Sequence, residues 1–339
     1  MSPSTHTDRP SGALVLTRRD IKALLSMKEC VAAVETAFRL LGRGSLQTPG
    51  VMGLHVANGG FHVKAGILPF EGRLFYAAKV NANFPANRTL HDLPTIQGAV
   101  LLFDADRGTT LAVMDSIEIT AVRTGAATAV AAKYLARQDS TTATLIGCGV
   151  QAEFQLDALL TVLPIRRVFA FDVIASRAVE FALTASKKYE IDVTPVATFA
   201  QGTLSSDVIV TCTTSHSAFL GPQHVRAGSF IAAVGADSEE KQELEPALLA
   251  GSQVVADIAQ QAVAIGELHH AIAAGALTHD SACTELGAVV AGNAQRRANE
   301  HTIVVFDSTG MALQDVAAAC AVYRNAQTIP EPCRIALNT

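Results

Sequence analysis

The run Ala143-Thr144-Leu145-Ile146-Gly147-Cys148-Gly149-Val150-Gln151-Ala152 constrains the fold of this chain more than any other stretch. A short apolar strand leads into G-x-G-x-x-A, and a helical pattern follows from Glu153. Gly147 permits a tight turn, Gly149 lets backbone approach a pyrophosphate, and Ala152 keeps the helix close to the sheet. The free N–H groups of the opening turn, at Val150 and Gln151, favour an anion. The next strand ends in Phe171-Asp172. An acid there can accept both ribose hydroxyls and repels a 2′-phosphate, so NAD is expected. Arg177 follows closely enough to hold that phosphate, which leaves NADP open. Strand, glycine loop, helix and acid together specify a Rossmann unit.

The flanking pattern extends it. Strands are expected at Ala143–Ile146, Arg167–Phe171, Val208–Thr211, Ser229–Val234, Gln253–Asp257 and Thr302–Phe306, alternating with helices. That alternation means a doubly wound parallel sheet. Upstream the pattern differs. Leu16 to Gly42 reads as mostly helix, with Thr17 as an N-cap and a second start near Ser26. Phe61–Leu68, Arg73–Val80, Gln97–Phe103 and Thr110–Met114 read as short strands around turns at Glu71-Gly72 and Asp104–Gly108, a hairpin-rich antiparallel region. Helix resumes from Ile117 to Arg137, and a last helix spans Ala312–Ala326. The fold class is α/β: a Rossmann dinucleotide-binding domain plus an α+β domain.

The chain has 339 residues, enough for two domains, and 49% are hydrophobic, enough for large cores. A net charge of -5 offers no footprint for nucleic acid. Met1 to Gly12 is polar and lacks the apolar core of a signal peptide, and no window is long and apolar enough to span a bilayer. The scattered cysteines contain no C-x-x-C pair and read as reduced thiols of a cytoplasmic protein. His269-His270 is the one adjacent histidine pair, and no His or Cys set has metal-ligand spacing, so no metal is expected.

The order and spacing of several further segments resemble the ornithine cyclodeaminase/mu-crystallin family along nearly the whole chain. They are Ala78-Lys79-Val80-Asn81 with Phe84-Pro85-Ala86-Asn87, Leu93-Pro94-Thr95, Arg123-Thr124-Gly125-Ala126, the glycine fingerprint, Val234-Gly235-Ala236-Asp237 with Lys241-Gln242-Glu243-Leu244, and Phe306-Asp307-Ser308-Thr309-Gly310. The resemblance implies a substrate-binding and dimerisation domain from residues 1–122 with 312–339, and an NAD(P)-binding domain from residues 123–311. It implies a homodimer, and a small amino or imino acid as substrate.

The resemblance also assigns roles. Arg123 can hold a substrate carboxylate through two parallel hydrogen bonds, although an interdomain salt bridge is the plain alternative. Lys79 can reach that carboxylate or polarise the carbon–nitrogen centre; a strand-end lysine in solvent is its alternative. Asp237, after a strand end, can trade a proton with the amine or imine, or else cap a helix. Thr309 is expected at the substrate, and Thr95, Thr211, Gly235, Lys241 and Ser308 at the cofactor. One departure stands out. Family cyclodeaminases usually carry an Arg shortly after a Pro, where this chain has Thr48-Pro49-Gly50-Val51-Met52. Lys64 on the neighbouring strand can supply a replacement cation.

Three functions fit. The first is an NAD(P)-dependent ketimine or cyclic imine reductase running in reverse as an amino acid dehydrogenase. The second is an ornithine cyclodeaminase-type ammonia lyase that returns the hydride it takes. The third is a non-catalytic crystallin-like binding protein, against which Lys79, Arg123 and Asp237 together argue.

Overall fold

The computed structural model describes residues 12–47, 49–279 and 283–337; the sequence readings of Met1 to Ser11 and of Thr48 lie outside them. Packing divides the chain into two compact units, one of Met1–Leu25, Thr48–Ile119 and Asp315–Thr339, the other of Ser26–Gln47 and Thr120–Gln314.

The chain opens with β1 (Ala13–Leu16), then α1 (Arg18–Leu24) and α2 (Met27–Gly42). Thr17 caps α1 and Ser26 caps α2, each in a reciprocal capping box with Asp20 and Glu29. The expected helix from Leu16 is therefore corrected at its start. Leu14 and Leu16 are buried, and β1 pairs in parallel with β6. Only four residues long, β1 is too short for its alternation to stand out from the helical pattern that follows.

β2 (Gly50–Val56), β3 (Gly59–Phe70) and β4 (Arg73–Asn83) precede the short α3 (Asn87–Leu90), and β5 (Ile96–Asp104) and β6 (Thr110–Asp115) complete the hairpins. Neighbours from β2 to β6 pair antiparallel, in the order β1-β6-β5-β4-β3-β2, with a C-terminal strand at Arg334–Ile335 on the outer side of β1. One face is apolar: Leu68, Phe75, Ala77, Val100, Leu102, Ala112 and Met114 are all buried. The ring of Tyr323, from the last helix, meets Phe75 edge-on at 6.2 Å. β2 was not read from the sequence, because Val51, Met52, Leu54 and Val56 lie exposed on an edge strand and no core imposes alternation.

α4 (Ser116–Leu135) runs from the first unit into the second. After it come β7 (Thr142–Ile146), α5 (Val150–Val162), β8 (Arg167–Phe171), α6 (Ala175–Tyr189), β9 (Asp192–Pro195), α7 (Phe199–Thr203) and β10 (Val208–Thr211). Then follow β11 (His216–Leu220), β12 (Phe230–Ala233), β13 (Gln242–Leu244), α8 (Pro246–Ala250), β14 (Gln253–Ala256), α9 (Ala259–Ile265), α10 (Glu267–Ala273), β15 (Thr284–Glu285), α11 (Leu286–Ala291), β16 (Val304–Asp307) and α12 (Ala312–Ala326).

The main sheet has the order β15-β14-β16-β12-β10-β7-β8-β9 and is parallel throughout. Its central strands are buried on both faces, which is why they read as continuous apolar runs. Strand order reverses at β7. β8 and β9 extend to one side, β10 and β12 to the other, and a crevice for a ligand opens at such a switch point. No helix among the described residues is long and apolar enough to cross a membrane.

Candidate functional site

β7 ends at Ile146, and Gly147 follows with φ +98°, a left-handed conformation that favours glycine. A Cβ there would stand 2.9 Å from the Cys212 carbonyl oxygen, so the loop also needs the missing side chain for room. α5 opens at Val150 rather than at Glu153, which makes Gly149 its N-cap. No side chain satisfies its first amides, and a Cβ on Gly149 would meet nothing within 4 Å. Val150 is exposed and Gln151 half-buried beside it. An uncapped helix start facing open space suits a pyrophosphate. Asp172, at the tip of β8, accepts from the Cys148 amide at 2.9 Å and from the Ile174 amide at 2.8 Å. Its carboxylate thus stands at the glycine loop, where a dinucleotide's ribose belongs. Arg177 is exposed in the first turn of α6. Burial, then the Asp172 charge, pushes the Cys148 thiol up to about 12, so this loop cysteine is no nucleophile at neutral pH.

Beyond β10 and β12 the loops are organised by a residue to which no sequence role was given. Glu243, on β13, accepts from the Thr211 hydroxyl at 2.6 Å, from the Thr213 amide and hydroxyl at 2.7 Å each, and from the Gly235 amide at 2.9 Å. Thr211 is fully buried, its hydroxyl turned to this carboxylate. Glu267 in turn accepts from the Glu243 and Leu244 amides, and Asp307 from the Glu267 and Leu268 amides. Asp257 accepts from the Thr309 hydroxyl and the Gly310 amide. Burial pushes Glu243, Glu267 and Asp307 up, Asp307 to about 7. These carboxylates hold the strand tips of β10, β12, β14 and β16 in place. Thr309 is buried within that net and also receives a hydrogen bond from Gln261; Ser308 beside it donates its amide to the Ala233 carbonyl.

Asp237 lies past the end of β12 and caps no helix, since a turn follows it. Its side chain is 56% exposed and takes a hydrogen bond from Lys241 Nζ at 2.6 Å. The Lys241 carbonyl faces His270 Nε2 at 2.8 Å, so this half of the histidine pair braces the loop. An exposed carboxylate paired with a cation on the C-terminal edge of a parallel sheet can exchange protons with a bound amine or imine.

Arg123 is buried, not a surface cation. Its Nη1 donates to Gln314 Oε1 at 2.8 Å. Gly310 makes space for it, because a Cβ there would come within 2.5 Å of Nη1. In the first unit, Lys79 is 3% exposed, so the solvent alternative for it falls. Its Nζ donates to Asp315 Oδ1 at 2.8 Å. Lys64 stands directly opposite Lys79 across the β3–β4 ladder. Thr95 is half-buried, and its carbonyl accepts from the Phe84 amide at 2.8 Å, closing the turn that carries Phe84-Pro85. Lys79, Lys64 and Thr95 thus belong to one unit, and the glycine loop, Asp172, Asp237, Lys241, Arg123 and Thr309 to the other.

Asp315 and Gln314 had a signal in the sequence: an acid and an amide inside the apolar run Met311–Val322 are buried and need partners. Glu243 had a weaker one, in a segment that alternates with no helical or strand pattern long enough to place it.

The model of the ornithine cyclodeaminase/mu-crystallin family matches residues 12–329. The chain is 38% identical to the alanine dehydrogenase of Archaeoglobus fulgidus, covering 92% of this chain and 95% of that one. It is 34% identical to the iminosuccinate reductase of Paracoccus denitrificans, covering 91% and 95%. Among solved structures, an archaeal alanine dehydrogenase dimer with bound NAD superposes with a TM-score of 0.89 at 36% identity, over 95% of this chain and 98% of that one.

Proposed function

We propose a direction and a set of roles for this chain, which belongs to the ornithine cyclodeaminase/mu-crystallin family and is an NAD-dependent enzyme acting at the carbon–nitrogen bond of a small amino or imino acid. The direction is reduction of an imino acid with the hydride kept in the product, reversible as an amino acid dehydrogenase. The likeness to an alanine dehydrogenase and an iminosuccinate reductase supports that direction, and one observation carries the proton transfer it needs: Asp237 is an exposed carboxylate paired with Lys241 on the C-terminal edge of the sheet that carries the glycine loop.

The roles follow from the chemistry of each side chain. Arg123, fixed by Gln314, holds the substrate carboxylate, and Lys79, fixed by Asp315, neutralises charge on the same substrate. Asp237 gives the imine nitrogen its proton during reduction and takes it back in the oxidative direction. When bound, the nicotinamide supplies or accepts the hydride at the substrate carbon. The α5 amides would hold the pyrophosphate and Asp172 the adenosine ribose, and Asp172 favours NAD over NADP. Gly235, Thr211, Thr95, Ser308 and Lys241 are assigned to the cofactor side and Thr309 to the substrate side.

Substrate binding and dimerisation are assigned to the first unit and the nucleotide to the second; relative to the expected bounds of 1–122 with 312–339 and 123–311, Ser26–Gln47 goes with the second unit. The exposed apolar edge strand β2, with Val51, Met52, Leu54 and Val56, supports a homodimer through the first of these. The scattered cysteines, with no C-x-x-C pair, support a cytoplasmic setting.

The test is turnover. The purified chain is given NADH or NADPH with pyrroline-2-carboxylate, piperideine-2-carboxylate, or a 2-oxo acid plus ammonia, and in parallel NAD with ornithine. The expected result is stoichiometric loss of the reduced cofactor's absorbance. Ammonia and a cyclic amino acid formed from ornithine with no net cofactor change would overturn the proposed direction.

A further inference from the structure

The adjacent pair His269-His270 lies in α10, half-buried, with its two rings edge-on at 5.2 Å. Each ring is turned to a main-chain carbonyl: His269 Nδ1 to that of Val263 in α9 at 3.2 Å, and His270 Nε2 to that of Lys241 at 2.8 Å. A carbonyl can only accept, so His269 carries its proton on Nδ1 and His270 on Nε2. His270 Nε2 is thereby committed to the main chain and relays no proton. His270 also stands three residues after Glu267, and side chains at that spacing share one face of a helix. Both grip the same stretch: Glu267 accepts from the Glu243 and Leu244 amides, and His270 donates to the Lys241 carbonyl. α10 is itself held at its start by Asp307 of β16, which accepts from the Glu267 and Leu268 amides. A line of hydrogen bonds thus runs from the tip of β16, through α10, to the loop after β12.

Lys241 is where that line meets the chemistry. Its amide donates to the Ser238 carbonyl, its carbonyl accepts from His270, and its Nζ donates to Asp237 Oδ1 at 2.6 Å. The lysine side chain is 21% exposed and the aspartate 56%, so the cation sits on the inner side of the pair and the carboxylate on the open side. A lysine stem has four rotatable bonds, and its ammonium keeps one place only if the peptide beneath it does. Glu239 and Glu240 are exposed in the same turn and compete for an ammonium that drifts. Pinning the Lys241 peptide therefore decides which carboxylate the lysine meets and where that carboxylate points.

We infer that His270 is a positioning residue for proton transfer, acting through Lys241 on Asp237. This rests on the role given to Asp237 above. His270 fixes the Lys241 peptide, the Lys241 ammonium fixes the carboxylate, and the carboxylate meets the imine nitrogen. A displacement of about 1 Å at a reacting group can cost about 100-fold in rate, so loss of the His270 donor is felt at the chemical step.

The experiment measures kcat and KM with NADH and whichever of pyrroline-2-carboxylate, piperideine-2-carboxylate or pyruvate plus ammonia the wild-type chain turns over fastest. His270→Leu keeps the bulk of the ring and removes its donor; His270→Gln restores an N–H near the place of Nε2. Thermal unfolding of each variant is the folding control. In His270→Leu kcat should fall about tenfold with KM for the imino acid little changed, and His270→Gln should recover most of the loss. The solvent isotope effect on kcat, from rates in H2O and D2O, should rise in His270→Leu, because a misplaced acid slows the proton step and not the hydride step. In a Lys241→Met background the same substitution should change kcat by no more than about twofold, since the side chain through which His270 acts is gone. Wild-type kcat in a folded His270→Leu variant, an unaltered solvent isotope effect, or a full loss that persists beside Lys241→Met would each overturn the inference. With Asp237→Asn inactive, such a result leaves the role of Asp237 standing. Near-normal turnover in Asp237→Asn, or no cofactor consumption with any of the imino acids, instead removes the reading on which the inference rests.

Discussion

The Glu243 carboxylate receives the Thr211 hydroxyl at 2.6 Å and the Gly235 amide at 2.9 Å, and so ties together the tips of two adjacent strands of the parallel sheet. With Thr213 it accepts four hydrogen bonds in all, two of them from the buried Thr211 and Gly235. Glu243→Gln replaces an acceptor oxygen with an NH2 group that faces donors. Leaving buried donors unmatched costs about 1–3 kcal/mol. We expect a lowered Tm and a cofactor Kd raised by about tenfold, read by NADH fluorescence titration. Unchanged cofactor affinity in a folded Glu243→Gln variant would remove Glu243 as organiser of these loops.

Asp237 is assigned the proton. Asp237→Asn keeps size and exposure but cannot donate or accept that proton as an acid. General acid–base catalysis contributes about 10²–10⁴-fold, so kcat should fall by at least about 100-fold while NADH binding stays intact. Lys241→Met should act differently. It removes the cation 2.6 Å from the carboxylate but leaves the acid in place, so kcat should fall by less than in Asp237→Asn. Near-normal turnover in Asp237→Asn would transfer the role to another group.

Asp172 makes the nucleotide preference measurable. In place of the ribose hydroxyls a 2′-phosphate would bring a dianion against its carboxylate. Asp172→Ser should therefore raise KM for NADH and lower it for NADPH, with the exposed Arg177 nearby to receive the phosphate. Equal KM values for NADPH before and after the substitution would mean that Asp172 serves only the loop, through the Cys148 and Ile174 amides.

Much of this was legible in the sequence for a physical reason. The central strands of the parallel sheet are buried on both faces, so their apolar runs and the intervening helices declare themselves; β8 and α12 fall at the residues expected. The glycine fingerprint is legible because Gly147 needs a backbone conformation that few other residues adopt. What stayed hidden depends on long-range partners. Nothing local tells that Glu243 will meet Thr211, or that Lys79 will meet Asp315, 236 positions further along. Short edge elements such as β1 and β2 were hidden as well, the first by length and the second because no core fixes its pattern.

The Lys79–Asp315 pair is buried on both sides, at 4% and 2% side-chain exposure, whereas Arg18–Asp115 is open at 47% and 21%. Removing one partner of a buried pair strands a desolvated charge, at a cost of about 3–5 kcal/mol. A surface pair is worth about 0–1 kcal/mol. Asp315→Ala should therefore lower the urea midpoint far more than Arg18→Ala, and Asp315→Asn should recover part of the loss. Comparable losses in the two alanine variants would show that the interior pair is hydrated in solution.

Asp307 sets a dependence of stability on pH. Its carboxyl is raised from 3.8 to about 7 by burial in the folded chain. Between those values the folded protein binds a proton that the unfolded chain has released. Stability from this group is thus present below pH 4 and is lost as pH rises toward 7. Glu267 and Glu243, also raised by burial, act with the same sign. Asp20, Glu35 and Asp104 are lowered instead, so their contributions disappear only as the medium becomes strongly acidic. Thermal unfolding should therefore show a Tm several degrees higher at pH 5.5 than at pH 8. Asp307→Asn cannot titrate, and its Tm difference between the two conditions should shrink even though the variant is less stable at both. A wild-type Tm that rises from pH 5.5 to pH 8 would show that the buried carboxylates are ionised in the folded chain and held by their amide donors; a difference that survives intact in Asp307→Asn would move its origin from Asp307 to Glu267 and Glu243.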